Sequence, residues 1–403
     1  MTKANSMLKS FNPFNLFDFS CLRQASSTSL NLFQMKILIA PDKFKGSIDS
    51  ITLCKLIKQE IATIHPDAEV ESFPLADGGD GYAAIVKHYF KTSDAQVLTV
   101  DPLGRQIKAT YQISAETSTA YIEMAAASGF ALLAPHELNP MKASTYGTGL
   151  MILDAIKRGV KEIFLGIGGS ATNDGGTGMA DALGYMFLDR NGDPLEACGE
   201  NLAAINEIIM PETDLLEDIH FTVAYDVSNP FFGLDGAAHV YAPQKGATAA
   251  QVDELDEGLK HLDTVFMKYF GRSVEVAPGS GAAGGMGGGC DVFLGARLVP
   301  GVDHLIAAVG LNDKIAAADI LITGEGRLDE QSFQGKVLGK LIGHARAHGT
   351  KLYAICGDSS MPIKDLNALG VDRLVTLAAL AGSKEEAMAH PDKFLSEAIK
   401  KIL

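Results

Sequence analysis

At both ends of this chain, short apolar runs that close in polar, glycine-bearing loops alternate with helical patterns. The run "KILIAP" begins beside Met35 and reads as a buried parallel strand. Ser47 is placed to cap the helix that follows, in which Ile48, Ile51, Cys54, Ile57, Ile61 and Ile64 recur at helical spacing until Pro66. "VESFPL" is then a second strand. Towards the C-terminus "ADILITGEG" is a strand running into a glycine loop, "QGKVLGKLIGHARAHG" a helix, and "KLYAICGD" and "RLVTLA" two more strands. Such alternation specifies a parallel sheet, and ligands of open parallel sheets bind where the strands' carboxyl ends meet the loops.

The middle of the chain has a different rhythm. "QVLTVDPLGRQIKATYQISAETSTAYIEM" reads as three antiparallel or mixed strands, turning at Pro102-Leu103-Gly104 and near Glu116. "GTGLMILDAIKRGV" is a helix leading into the strand "EIFLGI", and "HFTVAYDV" is another strand. The expected fold is therefore α/β: residues 35–80 and 280–403 form one parallel α/β domain from both chain ends, and residues 81–279 form an inserted mixed α/β domain. Loops of both face a shared cleft, and the crossings fall near Asp80 and near the run Gly279–Gly289. Residues 1–34 carry three basic residues and one acidic one among many Ser, Asn and Phe, and are expected to be a dispensable extension rather than a targeting signal.

Composition excludes several classes. With 403 residues, two domains are the default. A formal net charge of −15 argues against a nucleic-acid partner, so any anionic ligand must meet locally concentrated positive charge. No run of about 18 apolar residues suggests a membrane span. Cys21, Cys54, Cys198, Cys290 and Cys356 are scattered, with no Cys-x-x-Cys pair, which fits reduced thiols and a cytoplasmic setting.

The stretch "GIGGSATNDGGTGMA", Gly166–Ala180, spends six of fifteen residues on glycine around one carboxylate. Gly168, Gly169, Gly175 and Gly176 suggest a backbone that approaches a ligand closely, with Ser170 and Asn173 beside it. The spacing Gly166-x-Gly168-x-x-Ala171, with Asp189 further on, imitates a dinucleotide fingerprint. Asp174 would then face pyrophosphate, which makes sense only with a cation such as Mg²⁺ between them. The plainer alternative is a tight turn with Asp as turn former. "APDKFKGS" sets Asp42, Lys43 and Lys45 after the first strand, and "ADGGDG" sets Asp77, Gly78, Gly79 and Asp80 after the second. "TGEGRLDEQSFQGK" adds Glu325, Arg327, Asp329 and Lys336, where an arginine can grip a carboxylate or phosphate. "GSGAAGGMGGGC", with seven glycines in twelve residues, reads as a hinge, a linker or a ligand loop. His344 and His348 lack the Glu and third ligand of a zinc helix, and no P-loop or nucleophile elbow is present.

Taken in order, "APDKFKGS", "PLADGGDG", "EMAAASG", "NPMKASTYGTG", "GIGGSATNDGGTGMA", "PQKGAT", "GSGAAGGMGGG" and "ITGEGRLDEQSFQGK" strongly resemble bacterial two-domain glycerate kinases of glyoxylate and sugar-diacid use. The resemblance covers Met35 to the C-terminus. It implies a flavodoxin/Rossmann-like domain with a second α/β domain inserted, ATP and Mg²⁺ as cofactors, and D-glycerate as acceptor. The implied product is 2-phosphoglycerate rather than 3-phosphoglycerate, by in-line transfer in the interdomain cleft. On that reading Asp174 or Asp80 is the base or metal ligand, Asp77 a second metal ligand, and Lys45 and Arg327 grip anionic groups. Asp42, Lys43, Ser47, Gly78, Gly79, Gly168, Gly169, Ser170, Asn173, Gly175, Gly176, Glu325 and Lys336 line the substrate or phosphate sites. Neither nucleic acid nor membrane is a partner, and a homo-oligomer is compatible with the family. Two rivals are a nicotinamide-dependent reductase of a small hydroxy acid and a non-catalytic metabolite-binding protein.

Overall fold

A computed structural model describes residues 34–76, 81–213, 215–333 and 336–403. The chain enters with β1 (Lys36–Ile39) and β2 (Glu69–Ser72). It continues through β3 (Ser93–Val100), β4 (Gln106–Ser114), β5 (Thr119–Glu123) and β6 (Glu162–Gly166). Two short strands, β7 (Met186–Leu188) and β8 (Glu207–Ile209), precede β9 (His220–Tyr225) and β10 (Arg297–Pro300). The last part holds β11 (Ile320–Thr323), the stub β12 (Arg327–Leu328), β13 (Lys351–Cys356), the stub β14 (Asp358–Ser359) and β15 (Arg373–Thr376).

One five-stranded sheet runs β15-β13-β11-β1-β2, with every neighbouring pair parallel. Counted along the chain, that order is 2-1-3-4-5, the doubly wound flavodoxin-like arrangement. Its strands come from both chain ends, as the sequence pattern predicts. Period-two alternation sends Ile37, Ile39, Ile320, Ile322, Tyr353 and Ile355 to one face, where helices Ser50–Ile64 and Pro391–Ile402 cover them. Leu38, Leu321, Leu352 and Ala354 point to the other face. Burial on both faces explains why these strands read as unbroken apolar runs.

A six-stranded sheet runs β10-β9-β6-β5-β4-β3. Strands β3, β4 and β5 pair antiparallel and the rest parallel, so this sheet is mixed as expected. One face, with Ala120, Ile122, Ile163, Leu165, Phe221 and Val223, builds a large core. The opposite face presents Tyr121, Phe164 and Ala224 to the same apolar layer that receives Leu38, Leu321 and Leu352. Helices Tyr82–Tyr89, Gly301–Ala308 and Val337–His348 fill that layer, so one core is shared by both sheets. Phe164 lies at its centre, with the Tyr82 and His304 rings 4.9 and 4.3 Å away.

Three expectations shift. The cap of helix Ser50–Ile64 is Asp49, whose carboxylate accepts from the Thr52 N–H at 2.9 Å, while Ser47 closes a turn with Phe44. The glycine run is neither linker nor loop but a buried helix, Ala282–Leu294, broken by left-handed backbone at Ala283, Gly284 and Gly285. Strand β10 follows it and pairs with β9, so the six-stranded sheet takes in the chain up to Pro300 rather than to residue 279. Among the described residues, no helix is long and apolar enough to cross a membrane. Cys54, Cys198, Cys290 and Cys356 are buried free thiols, and Cys21 lies outside the described residues.

Candidate active site

Strand order in the five-stranded sheet reverses between β1 and β11, and the loops leaving their carboxyl ends diverge there. A cavity of about 440 Å³ opens at that point, lined by loops after β1, β11, β13 and β15. The first loop is pinned to the second: Asp42 N–H donates to the Gly324 carbonyl at 2.9 Å, and Thr323 Oγ1 donates to the Ala40 carbonyl at 2.8 Å. Phe44 is buried and bridges to Ile48, and Gly46 turns between them at φ +77°, which holds Lys45 and Ser47 out into solvent. A side chain at Gly324 would strike the Ile355 carbonyl, so the loops after β11 and β13 meet backbone to backbone. Gly357 N–H and Asp358 N–H complete the junction, donating to the Glu325 and Gly326 carbonyls at 3.1 Å each.

Charge is concentrated here. Lys43, Lys45, Arg327, Lys336 and Lys384 line the cavity against Asp42, Glu325 and Asp329. Arg327 Nε lies 3.6 Å from Asp329 Oδ2, with most of its side chain still exposed. Five cations on one cavity concentrate positive charge locally on a strongly acidic chain. Phe44, Leu377, Ala387 and Met388 supply an apolar wall on the same cavity. Such a combination has the chemistry to receive a polyanion with an apolar appendage. Beneath it, burial pushes the Cys356 thiol up to about 12, so that sulfur is inert packing.

Asp42, Lys43, Lys45, Ser47, Glu325, Arg327 and Lys336 are thus brought together. Asp77, Gly78, Gly79 and Asp80 lie outside the described residues. The chain re-emerges beside the other sheet: Ala83 N–H donates to Glu123 Oε1 at 2.6 Å, at the carboxyl end of β5. Sequence reasoning missed Lys384, Leu377, Ala387, Met388 and Gly357. Ser383 caps helix Lys384–Ala389 by accepting from the Glu386 N–H at 3.1 Å, and the spacing Ser-x-x-Glu was the signal available for that helix.

The glycine loop after β6 lies elsewhere: none of Gly168–Gly176 lines the cavity. Gly168 and Gly169 reach the surface, but everything from Ser170 to Gly176 is buried. Gly176, at φ +78°, faces the Gly289 backbone of helix Ala282–Leu294, and Gly175, at φ +60°, leaves its side-chain space to Leu262, Leu259 and Phe231, so what these glycines let in is the protein's own interior. Asp174 has no exposed surface. Its Oδ2 accepts from Thr145 N–H and Thr145 Oγ1 at 2.7 Å each and from Gly178 N–H at 3.2 Å, and its Oδ1 from Gly176 N–H at 3.2 Å. Burial pushes this carboxyl above the ordinary range, while the four donors pull it down. The expected metal ligand is a saturated interior acceptor, because the loop folds its amides inward around it.

Lys245 lies nearby, 3% exposed, donating to Ser170 Oγ at 2.8 Å and the Thr172 carbonyl at 2.7 Å. Burial pulls its ammonium down to about 7, with the Asp174 charge opposing. Thr172 Oγ1, Ser280 Oγ and both amide atoms of Asn173 are buried with no hydrogen-bond partner. Each such atom costs about 1–3 kcal/mol unless something meets it. Elsewhere, His344 and His348 both approach Asn312 Oδ1, at 2.8 and 3.2 Å, as ordinary surface hydrogen bonds. No group of three or more metal-ligating side chains exists among the described residues.

Residues 37–403 match the family model described as the glycerate kinase family. A protein named glycerate kinase from Halalkalibacterium halodurans is 39% identical over 367 residues, covering 91% of this chain and 97% of that protein. Glycerate 2-kinase from Escherichia coli K12 is 38% identical over 354 residues, covering 88% and 93% respectively. A crystal structure described as a glycerate kinase 2 from Salmonella typhimurium LT2 superposes with a TM-score of 0.77 at 35% identity, covering 92% of this chain and 98% of that one.

Proposed function

The chain belongs to the glycerate kinase family and is a phosphotransferase with an alcohol acceptor; from that premise we propose that it phosphorylates D-glycerate from ATP, with Mg²⁺, to give 2-phosphoglycerate. The observation that carries the placement is the cavity at the strand-order reversal, with five cations and an apolar wall. ATP supplies both chemistries that wall and cations recognise, a base and a triphosphate. Lys43, Lys45, Arg327, Lys336 and Lys384 neutralise phosphate charge. Phe44, Leu377 and Met388 flank the base. Mg²⁺ is held with few protein ligands in phosphoryl-transfer sites, and Asp42, Glu325 and Asp329 are the cavity's carboxylates. When bound, that ion neutralises charge on the transferring phosphoryl group.

Phosphoryl transfer needs positioning and electrostatics more than covalent participation. Asp174, saturated by four donors, serves by shaping the glycine loop. Asp80 is the proposed proton acceptor for the glycerate hydroxyl, since it immediately precedes the segment that docks on Glu123. Transfer to the 2-hydroxyl agrees with the name of the Escherichia coli relative, glycerate 2-kinase. The test is ³¹P NMR of the product from ATP, Mg²⁺ and D-glycerate. A 2-phosphoglycerate resonance is expected; a 3-phosphoglycerate resonance overturns the regiochemistry, and no phosphoglycerate overturns the reading itself.

A further inference from the structure

We propose that the nucleotide lies across the carboxyl edge of the five-stranded sheet in one direction, its base beside helix Lys384–Ala389 at the β15 end and its terminal phosphate beside Arg327 and Lys336. On that orientation Lys384 meets the phosphate nearest the ribose, and Lys336 meets the terminal one. The inference rests on the glycerate kinase reading above and assigns each end of the cavity to one end of the phosphoryl donor.

The cavity's chemistry is sorted by strand. The strands lie in the order β15-β13-β11-β1, so the loops that follow them line up along one edge in the same order. After β15 come Leu377, Lys384, Ala387 and Met388. After β11 and β1 come Lys43, Lys45, Arg327 and Lys336, together with Asp42, Glu325 and Asp329. Gly357, after β13, stands between the two groups. Neighbouring strands are about 4.8 Å apart, so the loops after β15 and β1 set out about 14 Å from each other. Phe44 also follows β1, but it is 4% exposed and offers the cavity little surface.

Each end is built as a unit. Lys384, Ala387 and Met388 stand at i, i+3 and i+4, one face of their helix, so an ammonium, a methyl and a thioether turn to the cavity together. A methyl at Gly46 would lie 3.7 Å from Met388 Cε, so this helix closes the apolar end against the first loop. At the other end, Lys336 is the N-cap residue of helix Val337–His348, whose first turn carries no acidic side chain. The positive end of that helix's dipole therefore adds to the cations there.

A nucleoside triphosphate is polarised in the same sense, with an apolar base at one end and most of its charge at the other. The metal in phosphoryl transfer bridges the outer two phosphates, so carboxylates belong at the charged end as well. Asp42, Glu325 and Asp329 all follow β1 and β11. The reverse orientation would set the base among four cations and the terminal phosphate against Leu377, Ala387 and Met388. The proposed direction also brings the transferring group to the side from which the chain crosses to the six-stranded sheet. Leu75 N–H donates to the Pro41 carbonyl at 3.0 Å, beside the first loop, and the next described helix docks through Ala83 on Glu123.

The test is calorimetric titration of the full chain with AMP, ADP and a non-hydrolysable ATP analogue, without metal, for wild type, Lys336→Ala and Lys384→Ala. Neither side chain is buried, so both variants should keep the wild-type thermal midpoint. Lys336→Ala should weaken the ATP analogue about tenfold or more and leave AMP unchanged. Lys384→Ala should weaken all three nucleotides by a similar factor. The opposite pattern, or equal losses for all three nucleotides in both variants, overturns the orientation. If wild type binds the analogue and neither variant alters any affinity, the nucleotide lies elsewhere and the proposal fails, while phosphoglycerate formation would still uphold the kinase reading. A wild-type chain that binds no nucleotide and forms no phosphoglycerate removes both.

Discussion

Thr145 reaches Asp174 twice, through its backbone N–H and its hydroxyl, and both meet the same oxygen at 2.7 Å. The hydroxyl in turn accepts from Met179 N–H at 2.8 Å. One threonine thereby ties the start of helix Tyr146–Lys157 to the glycine loop and to helix Thr177–Ala182.

Asp174→Asn tests what that knot is for. An amide keeps the size but offers one acceptor oxygen where the carboxylate has two. With that oxygen facing Thr145 and Gly178, the new NH₂ points at the Gly176 N–H. Unfolding free energy should fall by about 1–3 kcal/mol in urea titration. Turnover per folded molecule should fall less than about tenfold, whereas a loss near 10²-fold would return this carboxylate to the chemistry.

Lys245 gives a pH dependence with a definite sign. Its folded pKa, about 7, lies below the unfolded value of 10.5. Between those values the unfolded chain binds the extra proton, so stability rises with pH. Compared with Lys245→Met, wild type should gain up to about 5 kcal/mol across that window, most visibly between pH 7 and 9.5 in urea titrations. A difference that stays flat with pH would show the ammonium to be solvated.

Two glycine-to-alanine changes should move stability in opposite directions. At Gly289 a methyl would run into the Gly175 carbonyl, so Gly289→Ala should cost about 1–3 kcal/mol or more. At Gly343, within helix Val337–His348, a methyl meets nothing within 4 Å. Gly343→Ala should therefore stabilise by about 0.5–1 kcal/mol. Differential scanning calorimetry of both variants checks the pair, and equal shifts would contradict the packing.

Lys45 is exposed and makes no ion pair among the described residues, so its removal should leave the thermal midpoint alone. Lys45→Ala should instead raise KM for ATP about tenfold with kcat nearly kept, if the lysine binds ground and transition states alike. An unchanged KM for ATP would take this lysine out of the nucleotide site.

Strands such as "KILIAP" and "ADILITGEG" were legible because a strand covered on both faces must be apolar throughout. The charges after β1 and β11 were legible for a related reason: adjacent parallel strands deliver their following loops to one edge. Lys384 and Met388 were not, since they reach the cavity only through tertiary docking of a short late helix. Asp174 misleads because a carboxylate among glycines has the same sequence whether it faces solvent or its own amides. Gly279–Gly289 misleads more deeply. Glycine opposes helix formation, and close neighbours explain its use there: Gly287 faces the Gly279 carbonyl, Gly288 the Phe231 ring and Gly289 the Gly175 carbonyl.

The apolar layer between the sheets also decides how this chain could be divided. A protein engineer who excised the six-stranded half as a stand-alone module would keep helix Tyr82–Tyr89 on Phe164 but strip away what helices Gly301–Ala308 and Val337–His348 add to that face. The five-stranded half, cut free, would in turn lose helix Tyr82–Tyr89 and the residues Tyr121, Phe164 and Ala224 from the layer that receives Leu38, Leu321 and Leu352. Each fragment would be sticky on the side it lost. Co-expressed, the two should find one another and rejoin there, so a split version would behave as a complementing pair and neither piece alone as a usable part.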